Sequence, residues 1–388
     1  MFKDEKISKF ILENKIEIEN IKPLCKHFEK CGGCIFQNIS YRTEKEIKLK
    51  IAEKNLNFIN NLKLSFFESK KRIYYRNRMD YSIVRKDNDI LIGLKEYGKW
   101  YEVVNLDECY LLSEETSEIL KRTKDFIIKN NLEAYDLINK TGNVRYIVIR
   151  EGKNTKKRLI SIIVKESFPI EKYSEEMKDL ANSFVLAIND TLADVSFGRI
   201  EKYIGETFSE KVLDKEFIIP PFSFFQSNTE MAEVMIKEAK EFLDGKSLAD
   251  LYCGVGLFGI SFAENFEEII GIEIDKEAIK AAKLNSIING IKNANFVEAK
   301  VEDKIKDIKS DFIVVDPPRA GLSNKVIKGI ISNKNIKKIL YYSCNIETFA
   351  RDLKKLSKNF KIHENIKIFD QFPLTKHFEL LAFLERKE

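Results

Sequence analysis

No apolar stretch in this 388-residue chain approaches the ~18 residues that a membrane-crossing helix needs. The first ten residues mix acids and bases and contain no apolar segment of the kind a signal peptide requires. A cytoplasmic location is therefore expected. Cysteine is scarce. Six residues are too few for a disulfide scaffold, and without export their spacing points to metal binding or catalysis. Neither sign of charge dominates: 66 basic against 61 acidic residues leave only +5, so any nucleic-acid-binding face has to arise locally. Repeats and low-complexity tracts are missing as well. What is present is a globular composition, 44% hydrophobic and 33% charged. The chain is long enough for a large core and, at ~150 residues per domain, for two or three domains.

Residues 1–22 read as a short charged extension. Three cysteines follow together, Cys25, Cys31 and Cys34, and then a helical spacing of Tyr41, Ile47, Ile51 and Leu56. From about 71 to 210 strand patterns dominate, such as KRIYYRNRMDYSIV, DILIGLKE, VRYIVIRE and RLISIIVK, with a helix near 113–130. This predicts an α+β domain of antiparallel hairpins over 23–210. Over 211–388 apolar strands alternate with amphipathic helices: SLADLYC then 256–264, EEIIGIEI then 276–288, DFIVVD then 323–332, KKILYYS then 346–356. That alternation predicts an α/β domain with a Rossmann-like, mostly parallel, doubly wound sheet. The last stretch, KIHENIKIFDQFPLTKHFELLAFLER, reads as two strands joined by a loop.

The strongest local motif runs from Asp250 to Gly259. An apolar strand ends in Gly254-x-Gly256-x-x-Gly259 and a helix begins, so the backbone can turn tightly and approach a nucleotide-like ligand. Glu273 ends the next strand, where an acid meets ribose hydroxyls in nicotinamide and S-adenosylmethionine sites alike. Asp250 favours the second ligand, because an acid before the glycines suits a cationic methionine end and repels a pyrophosphate. A later strand ends in Asp316-Pro317-Pro318-Arg319, which opens onto the crevice at the carboxyl edge of such a sheet and aims Asp316 at a substrate. The following strand ends in Ser343-Cys344-Asn345 and a helix starts at once. That position favours a thiolate at Cys344. Glu379 begins the final strand, and His377, one of three histidines, has a similar claim to act in catalysis.

The set DLYCGVGLFG, GIE, DPPRAG, YSCN and FPLTKHFE, in this order, resembles the RNA uracil-C5 methyltransferases. SFFQSN at 223–228 and GNVRYIVIR at 142–150 match as well, so the resemblance covers nearly all of the chain after residue 23. It implies that Cys344 adds to uracil C6, that C5 then takes a methyl group from S-adenosylmethionine, and that Glu379 removes the C5 proton. It further implies that Asp316 holds the uracil edge near the methyl donor. Gln226, Asp250, Tyr252, Gly254 and Glu273 would contact the donor, and Phe224 would stack on an extruded base. Arg351, in the helix after Cys344, is read as a solvated residue with a lesser claim to offset enolate charge. Lys300, in FVEAKVED, departs from the Asn or Asp common in the family.

Cys25, Cys31, Cys34 and Cys109 remain as a set of four, since Cys253 lies in the glycine turn and Cys344 is assigned. Their chemistry alone allows a four-thiolate zinc or a 4Fe–4S cluster. CKHFEKCGGCIFQ resembles the cluster segment of the ribosomal branch of the family, which implies 4Fe–4S in a structural role. The same resemblance favours 23S rRNA as substrate, in the manner of the shorter enzymes that lack a TRAM domain, with tRNA as the alternative. Arg76 and Arg78, with Lys70, Lys71, Arg72, Tyr74 and Tyr75, are the candidate RNA contacts. Lys153, Lys156, Lys157 and Arg158 read as a solvated loop. No obligate protein partner is inferred. The rival readings are a nicotinamide-linked iron–sulfur oxidoreductase and a catalytically silent RNA-binding module. Neither uses both Cys344 and Glu379.

Overall fold

The computed structural model describes residues 2, 4–87 and 89–388. The chain divides into two compact units, Met1–Glu44 with Lys71–Glu210 and Lys45–Lys70 with Lys211–Glu388. No helix among the described residues is long and apolar enough to cross a membrane.

The first unit is built on a seven-stranded sheet in the order Val103–Asn105, Asp89–Lys95, Arg78–Lys86, Val144–Glu151, Arg158–Val164, Ser183–Ile188, Arg199–Gly205. Its pairs are antiparallel except Arg158–Val164 with Ser183–Ile188, whose parallel crossover carries the helix Ile170–Met177. That helix and Thr116–Lys129 supply Tyr173, Met177, Ile119, Leu120 and Phe126 to a core with Ile147, Ile149, Ile160 and Ile162. Segment 189–198 is bound to the same strands. Arg145 donates to the carbonyls of Asn189 and Thr191 at 2.8 and 2.7 Å, and Lys95 pairs with Asp194 at 3.2 Å. The strand expected from residue 71 begins only at Arg78. Before it, Tyr74 takes φ = 56° and breaks the extended run.

The second unit is a nine-stranded sheet in the order Lys63–Phe67, Asn365–Phe369, Glu379–Arg386, Lys338–Ser343, Phe312–Val315, Ser247–Leu251, Glu268–Glu273, Ala294–Glu298, with Phe360–Ile362 also on Glu379–Arg386. The strands from Lys338–Ser343 to Ala294–Glu298 pair in parallel, and Glu379–Arg386 runs antiparallel to its neighbours. Parallel strands covered on both faces need unbroken apolar runs. Ile313, Val314 and Val315 are fully buried accordingly. The order reverses at Ser247–Leu251, which has Glu268–Glu273 on one side and Phe312–Val315 on the other. A crevice for a ligand opens beyond the carboxyl ends of strands at such a point.

Two expectations change here. The C-terminal stretch holds three strands, because Phe360–Ile362 pairs with the final strand before the chain turns into Asn365–Phe369. Residues 45–70, expected within the first domain, belong to the second unit. The reason is a parallel pairing of Lys63–Phe67 with Asn365–Phe369, three hundred residues away in sequence and invisible to local pattern. The helix Tyr41–Leu56 contributes a fully buried ion pair to this unit, Lys48 Nζ to Asp370 Oδ1 at 2.6 Å. Removing one member of a buried pair strands the other charge. Lys48→Ala is therefore expected to lower unfolding free energy by about 3–5 kcal/mol, and Lys48→Ala with Asp370→Ala by less, as read from urea denaturation midpoints.

Candidate active site

The glycine turn follows the strand Ser247–Leu251. Tyr252, Gly254 and Gly256 take φ = 64°, 52° and 88°, and a Cβ on Gly256 would sit 2.9 Å from Ile260 Cδ1. The helix that starts there, Leu257–Ser261, is only five residues long before a 3-10 turn, shorter than the 256–264 expected. Two acids brace the turn. Asp250 Oδ2 accepts from Gly259 N at 2.8 Å, and Glu273 Oε2 accepts from Gly254 N at 3.2 Å. The other oxygen of Asp250 is buried without a partner. Burial pushes the Asp250 carboxyl up to about 7, and the nearby Asp316 and Glu273 add repulsion while the Gly259 amide pulls it down. A buried, orphaned carboxylate oxygen is costly unless a cationic or donor group meets it. Phe224 is 68% exposed, and its carbonyl lies 3.9 Å from where a Cβ on Gly254 would sit.

The loop after Phe312–Val315 carries Asp316. Gln226 donates Nε2 to Asp316 Oδ2 at 2.9 Å, and Gln371 donates Nε2 to Gln226 Oε1 at 2.9 Å. Burial raises the Asp316 carboxyl to about 7, and the Gln226 hydrogen bond opposes this. The loop is clamped from the helix Ile346–Leu356. Asn345 Nδ2 and Thr348 Oγ1 donate to the Arg319 carbonyl at 3.1 and 3.3 Å, and Arg351 Nη2 donates to the carbonyls of Ala320 and Leu322 at 3.0 and 3.1 Å. Arg351 also pairs with the buried Asp352 at 2.8 Å. It is an exposed residue of that helix, as expected from sequence, and its guanidinium also braces the Asp316 loop.

Cys344 and Glu379 come together through strand register. Ser343 pairs with Leu380 as the last step of the antiparallel ladder, so Cys344 directly follows one strand where Glu379 opens its partner, and the Cys344 thiol lies within the field of Glu379. Glu379 is fully buried with Oε1 unpartnered, whereas His377 is exposed. The sequence favoured a lowered thiol at Cys344, and the structure reverses that. Burial, with Glu379 and Asp316 adding repulsion, pushes the thiol up to about 12, while Arg319 and a backbone hydrogen bond of the residue itself pull it down. The helix dipole argument is local, and burial, with the two carboxyls brought in from elsewhere in the chain, outweighs it. Glu379 is itself held well above the usual carboxylate range by burial and by Asp316, with Arg319 opposing. Sequence reading missed Gln371 and Lys48. Gln371 directly precedes the FPLTKHFE motif, which was the available signal.

Residues 40–387 match the family described as tRNA (Uracil-5-)-methyltransferase. The chain belongs to this uracil-C5 methyltransferase family. An uncharacterised RNA methyltransferase of Nanoarchaeum equitans is 40% identical, over 98% of this chain and 83% of that one. A 23S rRNA (uracil(747)-C(5))-methyltransferase of Pyrococcus horikoshii is 32% identical, over 94% of this chain and 85% of its own. The crystal structure of Pyrococcus abyssi tRNA (uracil-54, C5)-methyltransferase in complex with S-adenosyl-L-homocysteine aligns with a TM-score of 0.79 at 33% identity, covering 91% of this chain and 86% of that one.

In the first unit of this uracil-C5 methyltransferase family member, Cys25, Cys31, Cys34 and Cys109 line one cavity, together with Phe28, Leu94 and Leu106. None of them forms a disulfide. Among the described residues no three His, Cys, Asp or Glu side chains are grouped so as to hold a metal ion. The basic residues named as RNA contacts are largely engaged within the protein. Arg78 forms a two-pronged pair with Asp80 at 2.8 and 2.9 Å, and Arg72 reaches Glu44 at 2.8 Å. Arg76 bonds Tyr75 Oη and Met79 Sδ and lies within the field of Cys34 and Cys109. Tyr75 is buried and Tyr74 stacks on Tyr110. Arg76 and Arg78 therefore do not form the exposed basic face that the sequence suggested.

Proposed function

We propose that this chain is an S-adenosylmethionine-dependent RNA methyltransferase that forms 5-methyluridine. The observation that carries the reading is that Cys344 follows, and Glu379 opens, two strands that pair antiparallel, beside Asp316 and downstream of the glycine turn. Asp250, Gly254, Glu273 and the Tyr252 backbone form the cradle for the donor, whose electrophilic methyl group is the chemistry it supplies. The unpartnered oxygen of Asp250 suits its cationic amine. Asp316 fixes the uracil edge, and Phe224 is the exposed ring available to stack on an extruded base. Cys344 gives its proton to solvent and bonds C6, C5 takes the methyl group and leaves the donor as a neutral thioether, Glu379 takes the C5 proton, and the C6–S bond breaks to return the thiolate. The raised thiol means that addition needs the proton of Cys344 to be withdrawn rather than a standing thiolate.

The four cysteines point to 23S rRNA as the substrate. A second reading, tRNA, is supported by the Pyrococcus abyssi structure, at 33% identity against 32% for the ribosomal relative. Incubation with labelled S-adenosylmethionine and transcripts of tRNA and 23S rRNA, followed by nucleoside mass spectrometry, decides between them. Absence of 5-methyluridine in every transcript overturns the proposal.

The same cysteines are read as the ligands of a 4Fe–4S cluster. A zinc ion draws its thiolates to about 3.8 Å of one another, given Zn–S near 2.3 Å. A cluster binds each thiolate through a different iron and so suits four thiols that line one cavity. The Gly33 amide already donates to Cys31 Sγ at 3.3 Å. Anaerobically purified protein is expected to hold about four iron and four sulfide per chain, and Cys109→Ser to lose most of both. One zinc and no iron by elemental analysis refutes the cluster.

A further inference from the structure

We propose that Gln371 is a positioning residue that makes the site choose uracil over cytosine, by fixing which end of the Gln226 amide faces Asp316. The inference rests on the uridine-methylating reading above. Gln371 and Gln226 are buried, and they form a directional chain: Gln371 Nε2 to Gln226 Oε1 at 2.9 Å, then Gln226 Nε2 to Asp316 Oδ2 at 2.9 Å. An amide has a donor end and an acceptor end, and an ionised carboxylate only accepts. With Gln371 donating to its carbonyl, Gln226 presents its donor end to Asp316. Gln371 is anchored in turn by its backbone, whose N–H donates to the Phe369 carbonyl at 2.8 Å, and by its neighbour Asp370 in the buried pair with Lys48. The remaining oxygen of Gln371 is buried without a partner, so nothing but the donor end of this side chain serves the site.

The consequence lies at Asp316, which is only half-buried. Uracil carries a hydrogen on N3, and cytosine carries a lone pair there. An ionised Asp316 accepts from the first and repels the second, whereas a protonated one would bond the second. The titratable groups within the field of Asp316 are the carboxyls of Glu379 and Asp250 and the neutral Cys344 and Tyr342; burial opposes its ionisation, and the N–H of Gln226 favours it. The Gln226 N–H is the contact that opposes the rise caused by burial, so the way this amide is turned bears directly on the state of the carboxyl. A Gln226 turned the other way would offer its carbonyl and favour the protonated acid.

The test compares wild type, Gln371→Leu and the equal-volume Gln371→Glu on transcripts carrying uridine or cytidine at the modified position. Methylation is followed across pH 5.5 to 8.5. Loss of the donor leaves Asp316 ionising later. The acid limb of kcat/KM is therefore expected to move upward by about one pH unit in both variants, a loss of about tenfold below the limb. The preference for uridine is expected to fall, and to fall further in Gln371→Glu, whose carboxylate accepts from Gln226 and turns it. A merely packing role for Gln371 gives a uniform drop at every pH with the wild-type limb and unchanged discrimination, and that result overturns the inference. Should Gln371→Leu fail to fold, Gln371→Glu alone decides. Wild type that makes no 5-methyluridine refutes the uridine reading and the inference with it. Active wild type with unmoved limbs in the variants refutes the inference alone.

Discussion

Cys344→Ala is expected to lose at least ~10⁴-fold in methylation, with no covalent complex on RNA carrying 5-fluorouridine at the modified position. C5 of uracil attacks a methyl group only once a nucleophile has added at C6, so removal of this sulfur removes the reaction rather than slowing it. No second thiol is placed to substitute. Cys253 is the other cysteine of the unit, and it is buried in the glycine turn, where burial and the carboxyls of Asp250 and Glu273 hold its thiol protonated. Cys344 is half-buried and sits before the helix rather than in it, so the truncation leaves the Asn345 cap on Glu347 N intact. Loss of activity is then not loss of fold, which an unchanged thermal midpoint checks. Cys344→Ser is expected to be inactive as well, because a hydroxyl needs still stronger withdrawal of its proton. Retained turnover in Cys344→Ala, or an adduct mapped by peptide mass spectrometry to any other residue, removes the basis of the mechanism.

The parts of this architecture that were legible in sequence are those written locally. Unbroken apolar runs such as that ending at Val315, closed by a glycine or a proline pair, specify parallel strands and the crevice at their ends. Asp275 before the helix Lys276–Ile288 and Asn345 before Ile346–Leu356 are cap residues that bond the first-turn amides, and both helix starts could be read directly. What sequence could not supply were partners distant in the chain. Arg78 and Arg72 look like free cations among aromatics, and only the fold brings Asp80 and Glu44 to them. Lys63–Phe67 has no local reason to leave the first unit until its partner strand at Asn365–Phe369 is known. The ionisation of Cys344 is the same case at the site itself. The residue before a helix is favourable for a thiolate, yet burial by the surrounding fold reverses the sign, and Glu379 and Asp316, brought in from elsewhere in the chain, add to it. In the proposed mechanism those acids serve other steps, which makes the position a compromise between nucleophile and base that local pattern cannot express.

That compromise gives Glu379→Gln an outcome unlike that of the nucleophile variant. Glutamine keeps the shape of a fully buried side chain and loses only its basicity. Addition and methyl transfer should proceed, but the C5 proton then has no acceptor and the C6–S bond cannot break. Turnover is expected to fall by ~10²–10⁴-fold, while a methylated covalent complex accumulates on ordinary uridine RNA and survives denaturing electrophoresis. The pH dependence carries a second signature. Because the Glu379 charge raises the Cys344 thiol, its removal lowers that thiol, and the complex should form at lower pH than in the wild-type enzyme. A base elsewhere, such as the exposed His377, predicts near-normal turnover and no trapped complex. Accumulation and the acid-ward shift together require one group that repels the thiolate and accepts the proton. Cys344 and Glu379 lie at the adjoining ends of two paired strands, where one carboxylate can do both.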